Sequence, residues 1–350
     1  MRRSSLVLAL LGVLLVAAAA VVRLVVVPGV TDLPSDLDTT AHYAGKGTLL
    51  NTSALMSGDL VNVLARDVDV TSDQHVFVSK TEGDTAVVHV ESTLTAGQTK
   101  LDQKHVYALN RDTRMEAPAP EGETVEPHTG LTIAFPIDPK ADNSYTFYDP
   151  TSQTSGPLNF VGTETRGGRE THHYTTEITG PVKDPQLTAT LPPALPRAFA
   201  GQILPLLPPD IQARFQPLAA ALPDVIPLSY TVKSTYDLWA DTELGAPLDS
   251  TIKQTITAAA AIAGQNLELL AVLDLSLNQT PASIQEYADQ TDSASTQLAL
   301  LSIWLPVALL AIGVVLIVFA ILRRKPTATA PADSAANQPP HLPSGGPEPS

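Results

Sequence analysis

From Leu298 to Leu322 the chain reads LALLSIWLPVALLAIGVVLIVFAIL, 25 residues without a charge, and Arg323-Arg324-Lys325 follow at once. As a helix rising 1.5 Å per residue it reaches roughly 37 Å, longer than the ~30 Å hydrocarbon core of a bilayer. A tilted transmembrane helix is predicted, with its basic triplet on the cytoplasmic side and Trp304 at the opposite interface. Pro306 lies near its start, where the missing N–H bends a membrane helix more readily than it breaks one. Whatever else the chain folds into hangs from this anchor.

The N-terminus supplies a second apolar run. Met1-Arg2-Arg3 is followed by apolar residues to Val27, interrupted only by Arg23. Two readings stand. Ala17–Ala20 resembles the small-residue site of a cleaved signal peptide; the run's length and its resumption after Arg23 favour an uncleaved signal anchor. The paired arginines sit almost at Met1 and lack the rest of a twin-arginine signal, so they fit the positive-inside rule instead. With both anchors in place the expected organisation is a transmembrane anchor over 1–27, an extracytoplasmic domain over 28–297, a transmembrane helix over 298–322 and a disordered cytoplasmic tail over 323–350. The tail is rich in Pro, Ala, Ser and Gly and cannot bury enough surface to fold. The protein is thereby expected in the plasma membrane with both termini cytoplasmic.

Between Pro28 and Gln297, 15 Lys and Arg face 34 Asp and Glu, a balance of −19. So acidic a domain repels phosphate backbones, which excludes nucleic acid as a partner. Cysteine is absent, so neither a disulfide framework nor a thiolate metal site exists. Thirty prolines and few aromatics point to a loop-rich, mainly antiparallel β body.

Strand patterns fill the first half of that body. Val61, Val63 and Ala65 alternate inward, and after Arg66 the apolar set shifts to Val68 and Val70. A strand has a period of two, so the shift predicts a bulge. Asp67 and Asp69 share a face and read as a solvated strand surface rather than a catalytic carboxylate pair. From Ala86 to Leu94 one face carries Ala86, Val88, Val90 and Leu94, with turns at Gly83 and Gly97. Lys104 to Leu109 is a further strand, ending in the Asn110-Arg111-Asp112-Thr113 turn.

Four segments then follow in a recognisable order: His105–Glu116 with its Asn-Arg turn, Gly130–Thr151 with Gly-Leu, Phe-Pro and Tyr-Asp-Pro, Phe160–Thr179 with its Gly-Gly hairpin ending in Tyr174, and Tyr236–Asp249 with Tyr, Trp, an acidic turn and Gly. Together with the flanking anchors they resemble an actinobacterial membrane-protein family labelled PorA-like, of unknown function, over most of the chain. The pattern departs at Phe147-Tyr148-Asp149, where many members carry Trp before the Asp. The resemblance implies a β-rich extracytoplasmic domain between two anchors and carries no catalytic residue. Its porin label fits poorly, because a barrel pore needs a belt of lipid-facing strands and no helical anchors.

Gly167-Gly168 predicts a type I′ hairpin that pairs Arg166 with Arg169, Thr163 with His172, Gly162 with His173 and Val161 with Tyr174. The pleat sends His172 and His173 to opposite faces, so they do not share a metal. From Leu191 to Leu228 the composition turns apolar and proline-rich. Phe199, Ile203 and Leu206, then Ile211, Phe215, Leu218 and Leu222, recur at helical spacing, and Pro209-Asp210 suits a first turn. Short Pro-punctuated helices are predicted, forming a cap over one end of the β body or a lid that contacts an apolar ligand. Strand pattern returns with Tyr230, Val232, Tyr236 and Leu238, with Ile252 and Ile256, and at every odd position from Leu267 to Leu277. Thr280-Pro281 and the residues after it form a capping signal for a helix that runs toward the second anchor.

The expected protein is therefore a mainly β (antiparallel) extracytoplasmic domain with a short Pro-punctuated helical cap and two flanking transmembrane helices. No catalytic, cofactor-binding or metal residue stands out, and no nucleophile elbow, metal triplet or phosphate loop is present, so no cofactor and no enzymatic activity are expected. The function read from the sequence is a non-enzymatic cell-envelope protein that holds an apolar ligand such as a lipid or glycolipid. The alternative is a scaffold or assembly factor for envelope proteins.

Overall fold

The computed structural model describes residues 3–27, 31–59, 62–262 and 265–323. The described residues fall into two compact units, one of 3–21 with 305–323 and one within Val22–Trp304.

The smaller unit is a pair of apolar helices, α1 (Arg3–Val21) and α7 (Leu305–Leu322). They touch where neither has a side chain: a Cβ built on Gly12 meets the Gly313 carbonyl at 2.7 Å, and one built on Gly313 meets that of Gly12 at 2.8 Å. Small residues at a crossing let helix backbones approach closely in the absence of a hydrophobic drive between helices. Among the described residues one helix is long and apolar enough to cross a membrane, the helical run Pro281–Leu322, while the apolar N-terminal stretch Leu10–Leu24 is shorter than that requirement. Within the long run, residues Leu300–Trp304 form a π turn just before Pro306. A proline inside a helix frees the carbonyl four residues back, and the widened turn lies at that carbonyl. The tail beyond Arg323 lies outside the described residues.

The larger unit is built on one antiparallel sheet. Its strands are β1 (Asp38–Leu50), β2 (Leu64–Glu82), β3 (Thr85–Ala96), β4 (Thr99–Asn110), β7 (Asn159–Arg166), β8 (Arg169–Pro181), β10 (Val225–Asp241), β11 (Pro247–Ile262) and β12 (Gln265–Gln279). They lie in the order β4-β3-β2-β1-β12-β11-β10-β8-β7, and short β9 (Ala194–Pro196) pairs with β10. A separate hairpin joins β5 (Thr146–Asp149) to β6 (Thr154–Pro157). After β12 comes α6 (Pro281–Ala299), whose N-cap Thr280 accepts a hydrogen bond from the Ser283 N–H, with Pro281 in the first turn.

The bulge expected after Arg66 is present: Val68 pairs with Gly47 and Ala65 with Leu49, and Asp67 takes up the slack with φ of +52°. Leu60 and Val61 lie outside the described residues. Asp67 and Asp69 are both exposed, and Asp69 pairs with Lys46 at 2.9 Å. The Gly167-Gly168 hairpin has both glycines left-handed and pairs Arg166 with Arg169, Thr163 with His172 and Gly162 with His173. The expected register breaks one step later. Val161 bulges out, 55% exposed, and Phe160 takes the place opposite Tyr174.

After the short helices α2 (Thr52–Ser57) and α3 (Pro185–Thr188), the apolar segment forms α4 (Arg197–Ile203) and α5 (Pro209–Phe215), each followed by a 3₁₀ turn. Pro209 and Asp210 occupy the first turn of α5 as expected. Ile211, Phe215 and Leu222 bury against Ala260, Ile262, Leu267 and Leu269, at one end of β11 and β12.

Candidate functional site

Alternation along the strands gives the sheet two faces of different character. Across β1 to β4, one row holds Thr39, Val76, Val90 and His105, and the next holds Ala41, Gln74, Ser92 and Gln103. All eight line a cavity of about 540 Å³. Rows on the other face hold His42, Asp73, Thr93 and Asp102, and Thr40, His75, Glu91 and Lys104. That outer face is laced with ion pairs, among them His42–Asp73 at 2.6 Å and Lys104–Glu91 at 2.9 Å.

Two further elements wall the cavity. One is α6, which presents Tyr287, Gln290, Thr291, Ala294 and Leu298, a stripe at steps of three and four residues. The Thr280 N–H donates to the His42 carbonyl at 2.8 Å, the Tyr287 hydroxyl donates to Thr39 Oγ1, and Arg169 reaches Asp292 at 3.0 Å. These contacts hold the helix against the sheet.

The other wall is the irregular stretch between β4 and β5, which contributes Leu131 to Phe135 and Ile137. Backbone bonds set it in place: Leu131 N–H to the Thr146 carbonyl, Phe135 N–H to the Gly245 carbonyl and Asp138 N–H to the Glu243 carbonyl, each within 3.0 Å. Gly245 is left-handed with φ of +66°, and a Cβ there overlaps the carbonyls of Pro136 and Phe135. The acidic turn and glycine after Trp239 thus serve as the seat of the cavity wall.

Buried polar groups gather at one side. The Asp149 carboxylate is fully buried and accepts bonds from the Ser152 N–H at 2.9 Å, the Ser152 hydroxyl, the Ser234 hydroxyl at 3.2 Å and the Tyr236 hydroxyl at 2.7 Å. Gln254 donates to the hydroxyls of Thr151 and Ser234. Burial, reinforced by Asp149, raises the Tyr236 pKa well above its usual value. His105 lies 2.9 Å from Glu126. Burial opposes its protonation, yet Glu126 outweighs burial and the imidazole pKa is raised.

The sequence named no site residue, and it placed a possible ligand under the cap. The cap instead lies over a separate space of about 50 Å³, and among the described side chains none from Leu191 to Leu228 lines the large cavity. The signal for the real cavity was the gap in the apolar row of β3: Ser92 stands between Val90 and Leu94 on the inward face. His172 and His173 separate as expected. His172 packs edge-on to Phe160, while His173 stacks on Trp239 at 4.3 Å, between Glu164 and Asp237. No cluster of three or more potential metal ligands exists among the described residues.

No curated protein matches the chain. Among solved structures, a MaoC-like dehydratase is matched over 71% of this chain and 76% of that chain, at 9% identity and a TM-score of 0.13, too slight a likeness to bear on fold or function. The family model described as Porin PorA matches residues 4–322, in keeping with the membrane-length helix, and the chain belongs to that PorA family.

Proposed function

We propose that this protein is a non-enzymatic cell-envelope protein, held by two membrane helices, whose extracytoplasmic β domain carries an apolar or amphiphilic ligand such as a lipid or glycolipid. The observation that carries the reading is the 540 Å³ cavity, walled by Leu33, Leu37, Ile133, Phe135 and Leu298 among others. Its size lies within the range of small-ligand sites, roughly 300–1,000 Å³, and its walls mix apolar surface with a few fixed polar groups as such sites do. The close contact of Gly12 with Gly313 supports a retained first anchor, since cleavage strips α7 of its complementary surface. A pore-forming reading gains little support. Among the described residues the sheet runs from one edge, β4, to another, β7, and its outer face carries ion pairs where a barrel presents lipid-facing side chains.

The test is native mass spectrometry of the full chain purified in a mild uncharged detergent, beside Ser92→Trp and Ala294→Trp, which fill the cavity from the sheet and from α6. One lipid per chain in the wild type, lost in both variants, is the expected result. A folded wild type with an empty cavity overturns the reading and favours the scaffold alternative.

A further inference from the structure

Of the residues lining the cavity, those with a carboxyl, imidazole or guanidinium group are Asp32, His105 and Arg114. Asp32 pairs with Arg111 at 3.5 Å and His105 pairs with Glu126. Arg114 is different. It is 5% exposed, and among the described residues no carboxylate lies within ion-pair distance of its guanidinium. It donates to two backbone carbonyls, Asp112 at 3.1 Å and Thr31 at 3.1 Å. A guanidinium has five N–H donors in a planar fork, so donors remain beyond those two bonds.

The backbone places it there deliberately. Asn110 Oδ1 accepts from the N–H groups of Asp112 and Thr113, and the tight turn that results leaves Arg114 left-handed at φ of +60°. Side-chain-bearing residues rarely adopt that conformation, and where they do the surrounding structure has to hold them in it. Burial lowers the pKa of Arg114 to about 10, which leaves it cationic at neutral pH. Asp112 and Asp32 act on it only at longer range, and a cation facing a largely apolar space without a carboxylate in contact is stabilised by an anion that reaches it. Guanidinium also matches the two oxygens of a carboxylate or phosphate in a way a lysine does not.

We propose that Arg114 is the anchor for an acidic head group, carboxylate or phosphate, of an amphiphile whose hydrocarbon lies along the apolar wall of the cavity. This rests on the reading that the cavity holds a lipid. It adds that the lipid is anionic at its head, and that the Thr31–Leu37 side of the cavity is where the head sits.

The test measures binding of radiolabelled palmitate, hexadecyl phosphate and hexadecanol to the full chain in uncharged detergent. The expected result is that at least one acidic probe binds tenfold or more tightly than the alcohol. Arg114→Gln should erase that preference, bringing the acidic probes to the level of hexadecanol, and Arg114→Lys should keep part of it. Preference for palmitate alone or for the phosphate alone identifies the head group. Equal binding of all three probes by the wild type overturns the anchor and leaves the lipid reading standing, a comparison that needs no variant to fold. A preference retained in Arg114→Gln also overturns the anchor. Failure of every probe to bind overturns the lipid reading and the anchor with it.

Discussion

The Tyr236 hydroxyl donates to the Asp149 carboxylate at 2.7 Å, and the two residues come from strands 87 positions apart in the chain. Asp149 belongs to the β5–β6 hairpin and Tyr236 to the main sheet, so this bond and the Ser234 bond beside it fasten the hairpin to the sheet. Both residues lie in the segments that carry the family resemblance. Their role is to hold the cavity wall in place.

Tyr236→Phe should therefore destabilise the domain, since the buried carboxylate loses a donor. Hydrogen bonds to charged groups contribute about 1.5–3 kcal/mol, so a loss of that order is expected in chemical denaturation. Asp149→Asn should cost at least as much, because its amide turns N–H groups toward donors already in place. Unchanged stability in Tyr236→Phe would show that the network contributes nothing.

The His105–Glu126 pair makes stability depend on pH. Glu126 outweighs the opposing effect of burial and raises the folded-state pKa of His105 above the ordinary imidazole value of about 6.5. A raised pKa means the folded state binds the proton more tightly than the unfolded state does. The pair's contribution is fully present below about pH 6.5 and is lost as pH rises through the higher folded value. Denaturation midpoints should fall between pH 6 and 8 more steeply in the wild type than in Glu126→Gln. Parallel profiles for the two proteins would exclude the linkage.

Much of this was legible in the sequence, and the failures share a cause. The Arg66 bulge, the Gly167-Gly168 hairpin, the Pro209 helix start and the Thr280 cap all rest on local geometry, which one or two residues dictate. The slip at Val161 came from its partner strand: Phe160 packs against Tyr174 and His172, and the bulge lets it do so. The cavity stayed hidden because its walls are assembled from far apart. Gln74, Ser92 and Gln103 share one row only once three strands are paired, and each by itself reads as a solvated strand position. Leu131 to Ile137 follow no period at all, being held by two backbone bonds between Leu131 and β5 and by one from Phe135 to Gly245.

The contact between Gly12 and Gly313 should not tolerate a large side chain. Gly12→Leu places atoms against the Gly313 carbonyl and Ile317, and Gly313→Leu places them against Val16 and Leu15. Each should lower the melting temperature of the protein in detergent, while Gly201→Leu, where a Cβ meets nothing within 4 Å, should not. If α1 is retained as proposed, the intact mass of the mature protein includes it. A mature mass starting after Ala20 would contradict the two-anchor arrangement.

Gly245→Ala tests whether the turn after Trp239 sets the cavity wall. The left-handed backbone costs an alanine about 1–2 kcal/mol, and the new methyl group also overlaps the carbonyls of Phe135 and Pro136. The turn itself is well anchored, because Asp241 Oδ1 accepts from the N–H groups of Glu243 and Leu244 and Arg169 binds the other carboxylate oxygen at 2.7 Å. The segment opposite has less to hold it, so it is the part that should move. Phe135 would lose its bond to the Gly245 carbonyl, and the amide of Phe135 should exchange with deuterium far faster than in the wild type, while amides of β2 and β3 keep their protection. Ligand retention should fall with it, because Leu131 to Ile137 form that wall. Uniform loss of protection across the sheet would instead make Gly245 a determinant of the whole fold rather than of the cavity.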